Sequence, residues 1–368
     1  MRELWNMDDL KSWTRSLLAG RRVIAPVAGP DGPVWAEIND PERVAWDYGR
    51  TAVSPRAWLL PRTEPLFEYN LKDQPPTLRE PEADTRPTVL LALRPCDVAG
   101  LRALDPVMRW DYEDRAFEAR RHSTLLVALA CASAPSPESC FCRAVGLDPT
   151  VAPEADVVIR VVGSDDQTSF RLYAQTDAGR EALQNVPTPV SPGAPTGEGA
   201  TASSARGGGA SAVGSPGTAG EPVTVPVDVA AAQAWMRAHF EDPGWADLTQ
   251  SCLGCGACAF VCPTCHCFDM VDEGDWARGV RVRNWDTCAF GHFTAHASGH
   301  NPRPTQATRY RQRVYHKFVF YPDKFGRLLC TGCGRCVDAC SAGVDLIEVL
   351  QRAAALGARV PAAEGATK

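Results

Sequence analysis

Two cysteine runs carry the densest chemistry in this sequence. The first reads Cys252-Leu-Gly-Cys255-Gly-Ala-Cys258-Ala-Phe-Val-Cys262-Pro263, and the second Cys330-Thr-Gly-Cys333-Gly-Arg-Cys336-Val-Asp-Ala-Cys340. Three thiolates spaced two residues apart on a tight loop reach three corners of one iron–sulfur cubane, while a fourth, three residues on, points toward a second. The small residues between them (Gly254, Gly256, Ala257, Gly332, Gly334) let backbone N–H groups approach the sulfurs. This spacing assigns Cys252, Cys255, Cys258 and Cys340 to one [4Fe–4S] cluster, and Cys330, Cys333, Cys336 and Cys262 to another. Pro263 follows the first run as in bacterial ferredoxins, whereas Ser341 takes that place in the second. Structural zinc is the competing reading. Zinc takes two CxxC knuckles per site, not a four-cysteine ladder used twice.

A second cysteine set lies earlier. Val89–Leu93 and Thr124–Ala130 are continuous apolar runs, each followed closely by a cysteine, Cys96 and Cys131. If the runs are parallel neighbours, both thiols sit at the carboxyl edge of one sheet, where α/β proteins bind ligands. Cys140 and Cys142 follow on a Pro/Ser-rich loop that can fold over them, so four thiolates converge and suffice for a third [4Fe–4S] cluster. Buried packing thiols, a zinc site or a redox dithiol account equally for this spacing.

Three cysteines remain. Cys265 and Cys267 directly follow the first run, and Cys288 lies in Trp285-Asp286-Thr-Cys288. With His266 and His292 they offer donors for a further metal, but no complete ligand set is visible, so packing or a supporting role around a cluster is expected. Arg303, Arg309, Arg311, Arg313, His316 and Lys317 crowd a short basic segment. A solvated face or charge offsetting anionic clusters is expected there; a docking face for an acidic partner or a nucleotide phosphate is the alternative. The histidines lack HExxH spacing, and no GxGxxG or P-loop opens a helix.

The elements that must position these residues can be read from periodicity. Residues 1–186 read as an α/β domain: a helix over Asp8–Leu18, short strands at Val23–Val27 and Val34–Ile38, and the two buried runs. Asp97–Arg121 is long enough for a helical crossover, which predicts a right-handed β-α-β unit with parallel strands. Residues 187–222, rich in Gly, Ala, Pro, Ser and Thr, predict a disordered linker. Residues 223–368 form the cysteine-rich domain, with helices over Ala230–Phe240 and Leu346–Leu356. The stretch between Cys262 and Cys330 is too long for a small two-cluster ferredoxin, so a mainly helical dicluster ferredoxin domain is expected. Among 368 residues there are fifteen cysteines, too many and too odd for a disulfide scaffold in a large chain without a signal peptide. A net charge of −6 gives no reason to expect nucleic-acid binding, and no apolar stretch is long enough to span a membrane. A cytoplasmic location follows.

Several blocks resemble a known family: Leu93-Arg-Pro-Cys-Asp97, Cys140-Phe-Cys142, Cys252 to Asp269, Trp285-Asp-Thr-Cys288, Ser298 to Pro304, Arg311 to Phe318, the second cysteine run and, more weakly, Ser54 to Phe67. These are similar to the 4Fe–4S dicluster subunits of cytosolic redox complexes, including beta subunits of NADP-linked [NiFe] sulfhydrogenases and A subunits of anaerobic sulfite reductases. The resemblance implies work inside a complex, with a flavin subunit that binds NAD(P)H and a terminal catalyst, either a [NiFe] hydrogenase or a sirohaem sulfite reductase. It also favours a third cluster on Cys96, Cys131, Cys140 and Cys142. The expected function is an electron-transfer subunit with no turnover of its own. A substrate-binding enzyme and a zinc-stabilised assembly module are the alternatives.

Overall fold

A computed structural model describes residues 4–131, 137–163, 168–184 and 226–357. The linker expected over 187–222 lies outside the described residues. The first helix, α1 (Met7–Leu18), starts at a capping box in which Asn6 and Asp9 exchange backbone-to-side-chain hydrogen bonds of 2.9 Å. Leu10, Trp13 and Leu17 recur at helical spacing and are buried.

Ten strands follow among the described residues: β1 (Arg22–Val27), β2 (Val34–Ile38), β3 (Thr63–Asn70), β4 (Thr77–Arg79), β5 (Thr88–Leu93), β6 (Thr124–Leu129), β7 (Val157–Val162), β8 (Ser169–Ala174), β9 (Phe268–Gly274) and β10 (Arg278–Trp285). Six of them form one mixed sheet in the order β2-β1-β5-β6-β7-β8. Its centre, β1, β5, β6 and β7, is parallel, and β2 and β8 close the edges antiparallel. The predicted crossover is present as α2 (Pro95–Arg102), α3 (Asp105–Met108) and α4 (Arg115–His122) between β5 and β6. Every residue of β5 and β6 is buried, which explains why both read as continuous apolar runs. Val89 and Leu91 pack with α1 in one core, and Leu90 and Leu93 pack with Leu101 and Phe117 in another. Each such side chain contributes about 1.5–3 kcal/mol when fully buried.

The C-terminal region holds a β-hairpin that the sequence reading did not anticipate. β9 and β10 join β3 and β4 in a four-stranded antiparallel sheet ordered β4-β3-β10-β9. Strands from residues 63–79 are therefore sheet partners of strands from residues 268–285. The hairpin escaped notice because β9 is exposed along its whole length, without a buried face.

The remaining helices are α5 (Asp177–Ala182), α6 (Val229–Ala238), α7 (Gly244–Leu248), α8 (Ala257–Phe260), α9 (Gln306–Tyr315), α10 (Tyr321–Phe325), α11 (Arg335–Asp338) and α12 (Leu346–Gly357). α6 packs on α12, and Trp235, Trp245, Tyr315, Phe318 and Leu350 build a core beneath the cysteine loops. One π-helical turn, His316–Phe320, interrupts the helix between α9 and α10. No helix among the described residues is long and apolar enough to cross a membrane.

Candidate metal centres

The two cysteine runs fold alike. Gly254 and Gly256 in the first loop, and Gly332 and Gly334 in the second, take left-handed backbone angles of φ +69°, +76°, +59° and +74°. L-residues rarely adopt that conformation, which is why glycine recurs between the ligand positions. Gly256 and Gly334 then cap the short helices α8 and α11, which pack on each other and set Cys258 and Cys336 in their first turns. One cavity is lined by Cys252, Cys255, Cys258, Cys336 and Cys340, together with Tyr310 and Arg313. The fourth cysteine of the second run thus faces the trio of the first. Gln306 Nε2 donates to Cys252 Sγ at 3.3 Å and the Val344 N–H to Cys340 Sγ at 3.2 Å. Cys255 and its neighbour Leu253 are exposed, so this end of the pair opens to solvent.

Cys262 has crossed the other way. Cys330 and Cys336 lie within electrostatic reach of Cys262 and of each other. Cys262 Sγ accepts from Lys317 Nζ at 3.4 Å and from the Thr264 N–H at 3.5 Å, and it lies 3.2 Å from Thr264 Oγ1, which donates to Leu329 O. A hydrogen bond from the Cys265 thiol, together with Lys317, holds the Cys262 thiol well below its ordinary range despite burial. Burial pushes Cys330 up to about 12 and Cys336 up to about 11.

The basic segment is not a solvated face at its centre. Arg311, Arg313 and Lys317 are buried; Arg311 pairs with Glu241 at 2.7 Å, while Arg313 and Lys317 point at the cysteines. The π-helical turn shifts the helix register locally and lets Lys317 reach Cys262 as well as Thr264 Oγ1 (2.9 Å) and Leu329 O (3.1 Å). Arg309 is held by the carbonyls of Ala289, Arg303 and Pro304. Of the two roles expected for this segment, the geometry favours the one in which charge offsets an anionic centre.

Cys96, Cys131, Cys140 and Cys142 converge at the carboxyl edge of β5 and β6. Cys140 is hydrogen-bonded to Cys142, and Cys96 and Cys131 act on Cys142 as near neighbours. Ala92, at the end of β5, has φ +60°, and the register with β6 shifts between Leu90 and Leu93. This bulge turns the chain into Arg94-Pro95-Cys96. Tyr48 Oη donates to Ala92 O at 2.5 Å and holds it. The quartet touches the second ladder loop: the Phe141 N–H donates to Gly332 O at 2.8 Å, and Cys333 lies within reach of Cys96.

Cys265, Cys267 and Cys288 are also brought together. Cys265 is hydrogen-bonded to Cys262, and Cys267 to Cys288. His266 is half-buried, with Nδ1 3.0 Å from Thr264 O, and desolvation lowers it to about 4. His292, by contrast, is exposed and faces Asp286 at 4.0 Å.

These surroundings suit iron–sulfur chemistry. Arg313 is 3% exposed, and its Nε and Nη2 have no hydrogen-bond partner among the described residues. A buried unpaired guanidinium costs several kcal/mol unless an anion lies beside it. Thiolate-bound clusters supply that charge.

Sequence reading missed the cations that come from far away in the chain. Arg56 reaches the Cys262/Cys265/Cys267 group, Arg94 lies beside Cys131, and Arg335 links Cys333 to Cys96. Arg335 lies inside the second cysteine run, and Arg94 lies two residues before Cys96.

Comparison with known proteins agrees with this geometry. Residues 251–344 match the 4Fe-4S dicluster domain family. The chain is 28% identical over 344 residues to sulfhydrogenase 2 subunit beta of Pyrococcus furiosus, covering 89% of this chain and 91% of that protein. No solved structure matches.

Proposed function

Starting from a chain with a 4Fe–4S dicluster domain and similarity to a sulfhydrogenase beta subunit, we propose that it is the electron-carrying subunit of a cytoplasmic redox complex. The flanking subunits would be a flavin protein that takes hydride from NAD(P)H and a terminal [NiFe] hydrogenase. Cys252, Cys255, Cys258 and Cys340 would hold one [4Fe–4S] cluster, Cys330, Cys333, Cys336 and Cys262 a second, and Cys96, Cys131, Cys140 and Cys142 a third. When bound, these clusters supply reversible one-electron transfer with little change of geometry.

The chain's own residues set the conditions. Left-handed glycines bring the loop backbone against the sulfurs. The Thr264 N–H, Lys317, Gln306 and the Val344 N–H donate to them. Such hydrogen bonds, with the buried charge of Arg313 and Lys317, favour added negative charge at the sites.

The observation that carries the reading is continuity. Cys336 of the second run lines the cavity of the first trio, and Gly332 O of the same loop accepts from the Phe141 N–H at 2.8 Å, so the second run adjoins both the first trio and the sheet-edge quartet. The coverage of the Pyrococcus relative along nearly its full length favours hydrogenase as the terminal partner. The A subunit of an anaerobic sulfite reductase is the second reading, because its motifs are shared.

The test is isolation of the complex under anaerobic conditions with identification of the co-purifying subunits. A nickel–iron pair and a flavin subunit support the reading; a sirohaem subunit redirects it. The ladder alone accounts for about eight iron atoms per chain, and the quartet raises this to about twelve. Oxidation of NADPH by the isolated chain with an artificial acceptor would overturn it.

A further inference from the structure

Every cysteine outside the three sites just described is in one place. Cys267 ends the segment before β9, and Cys288 follows β10. The hairpin pairs Phe268 with Trp285, and the Asp286 N–H donates to Cys267 O at 3.0 Å, so two thiols distant in sequence meet at its base. Cys265 stands next to them, tied to the first run through Pro263 and Thr264.

The cation beside this trio is a second, independent observation. Arg56 comes from the other half of the chain, on a short 3-10 turn over Pro55–Trp58. It is 2% exposed, its guanidinium lies 3.5 Å over the Trp285 ring, and its Nε has no hydrogen-bond partner among the described residues. Its near neighbours are Cys265, Cys262 and Cys267, and its Nη2 lies 3.5 Å from Ala259 O. Arg313 and Lys317 also act with Cys265, so the trio and the Cys262 site share their buried cations. A buried cation with an unsatisfied nitrogen is tolerated when the opposing group is anionic, and packing thiols are neutral.

We propose that Cys265, Cys267 and Cys288 hold an additional iron–sulfur cluster with three thiolate ligands, beside the two ladder sites. Its fourth corner has no cysteine, because all fifteen are then assigned. The site suits a three-iron cluster, or a four-iron cluster completed by a non-thiolate ligand. His266, whose Nδ1 faces Thr264 O, keeps Nε2 available for that place. Cys288 lies within reach of Cys258, and Cys265 of Cys262, so the site adjoins both ladder clusters and branches from the path rather than extending it.

The inference rests on the iron–sulfur reading of the chain but is tested separately from it. Iron and acid-labile sulfide are counted in the anaerobically purified complex, or in the chain reconstituted with iron and sulfide. The expected content exceeds the roughly twelve iron atoms of three clusters by about three to four. A Cys267→Ser/Cys288→Ser double variant is expected to lose that increment while keeping the reduced-state resonance signals of the ladder clusters. A second measurement needs no variant. Thiol alkylation mapped by mass spectrometry is expected to spare Cys267 and Cys288 in iron-loaded protein and to modify them after chelator treatment. Equal modification in both states, or a double variant with undiminished iron, overturns the proposal. A wild-type content of eight or fewer iron atoms instead overturns the broader three-cluster reading.

Discussion

Asp97 and Arg335 form an ion pair of 2.6 Å in which both side chains are wholly inaccessible to solvent. Asp97 follows Cys96, and Arg335 precedes Cys336, so the pair couples the sheet-edge thiols to the second ladder loop. Arg335 also donates to Thr51 O at 2.9 Å and Thr51 Oγ1 at 3.1 Å. Removing one member of a buried pair leaves the other charge uncompensated, which costs about 3–5 kcal/mol. Asp97→Ala is therefore expected to lower unfolding free energy by that amount in iron-free protein, measured by denaturant titration. An Asp97→Ala/Arg335→Met double variant is expected to be less damaged than Asp97→Ala alone. If the double variant is the worse of the two, the pair is not what holds these loops together.

Gly332 makes the same junction sensitive to a single methyl group. A Cβ built there would lie 2.6 Å from the backbone of Phe141 and Cys142. Gly343 has a similar left-handed backbone, φ +69°, but open space around it. Left-handed strain alone costs about 1–2 kcal/mol for an L-residue. Gly343→Ala is expected to show only that loss. Gly332→Ala is expected to lose in addition about 1–3 kcal/mol from the clash and to retain less iron at the cluster site proposed on the sheet-edge quartet. Matching melting temperatures and iron contents for the two variants would contradict this.

The contrast between these residues explains how much the sequence disclosed. The ladder was legible because its ligands, glycines and spacing are local and obey one geometric rule. β5, β6 and their crossover were legible because burial on both faces leaves a continuous apolar signature. Arg56, Arg94 and Tyr48 were not, because an arginine or tyrosine bound for a buried site looks no different from a surface one until the fold brings its partners near. The β9–β10 hairpin was hidden for a related reason: a strand without a buried face has no alternation to detect. As a consequence, the meeting of Cys267 with Cys288 could not be deduced from spacing.

Ala92 stores strain where the sheet hands the chain to Cys96. It is wholly buried and holds φ +60° without being glycine. Glycine adopts that angle freely but gains entropy in the unfolded chain, and the two effects offset to within about 1 kcal/mol. Ala92→Gly is expected to be close to neutral. Ala92→Val adds a β-branched side chain to the same backbone and to a filled core, and should cost about 2–4 kcal/mol. Thermal unfolding distinguishes them; equal stability of the two variants would show that the bulge is not fixed at this residue.

Lys317 offers the most direct test of how the protein tunes its sites. Its ammonium lies 3.4 Å from Cys262 Sγ, is buried, and forms no salt bridge with any described carboxylate. A cation here favours the more negative, reduced state of whatever metal group Cys262 ligates, so its removal should lower the potential. A hydrogen bond to a charged group contributes about 1.5–3 kcal/mol. If all of it were differential between redox states, the one-electron equivalent would be roughly 60–130 mV. Lys317→Met is therefore expected to shift one cluster downward by up to that amount and to leave the cluster proposed on Cys252, Cys255 and Cys258 nearly unchanged. Potentiometric titration followed by electron paramagnetic resonance reads both at once. An upward shift, or an equal shift of every cluster, would mean that Lys317 acts on the protein's overall field rather than on the Cys262 sulfur.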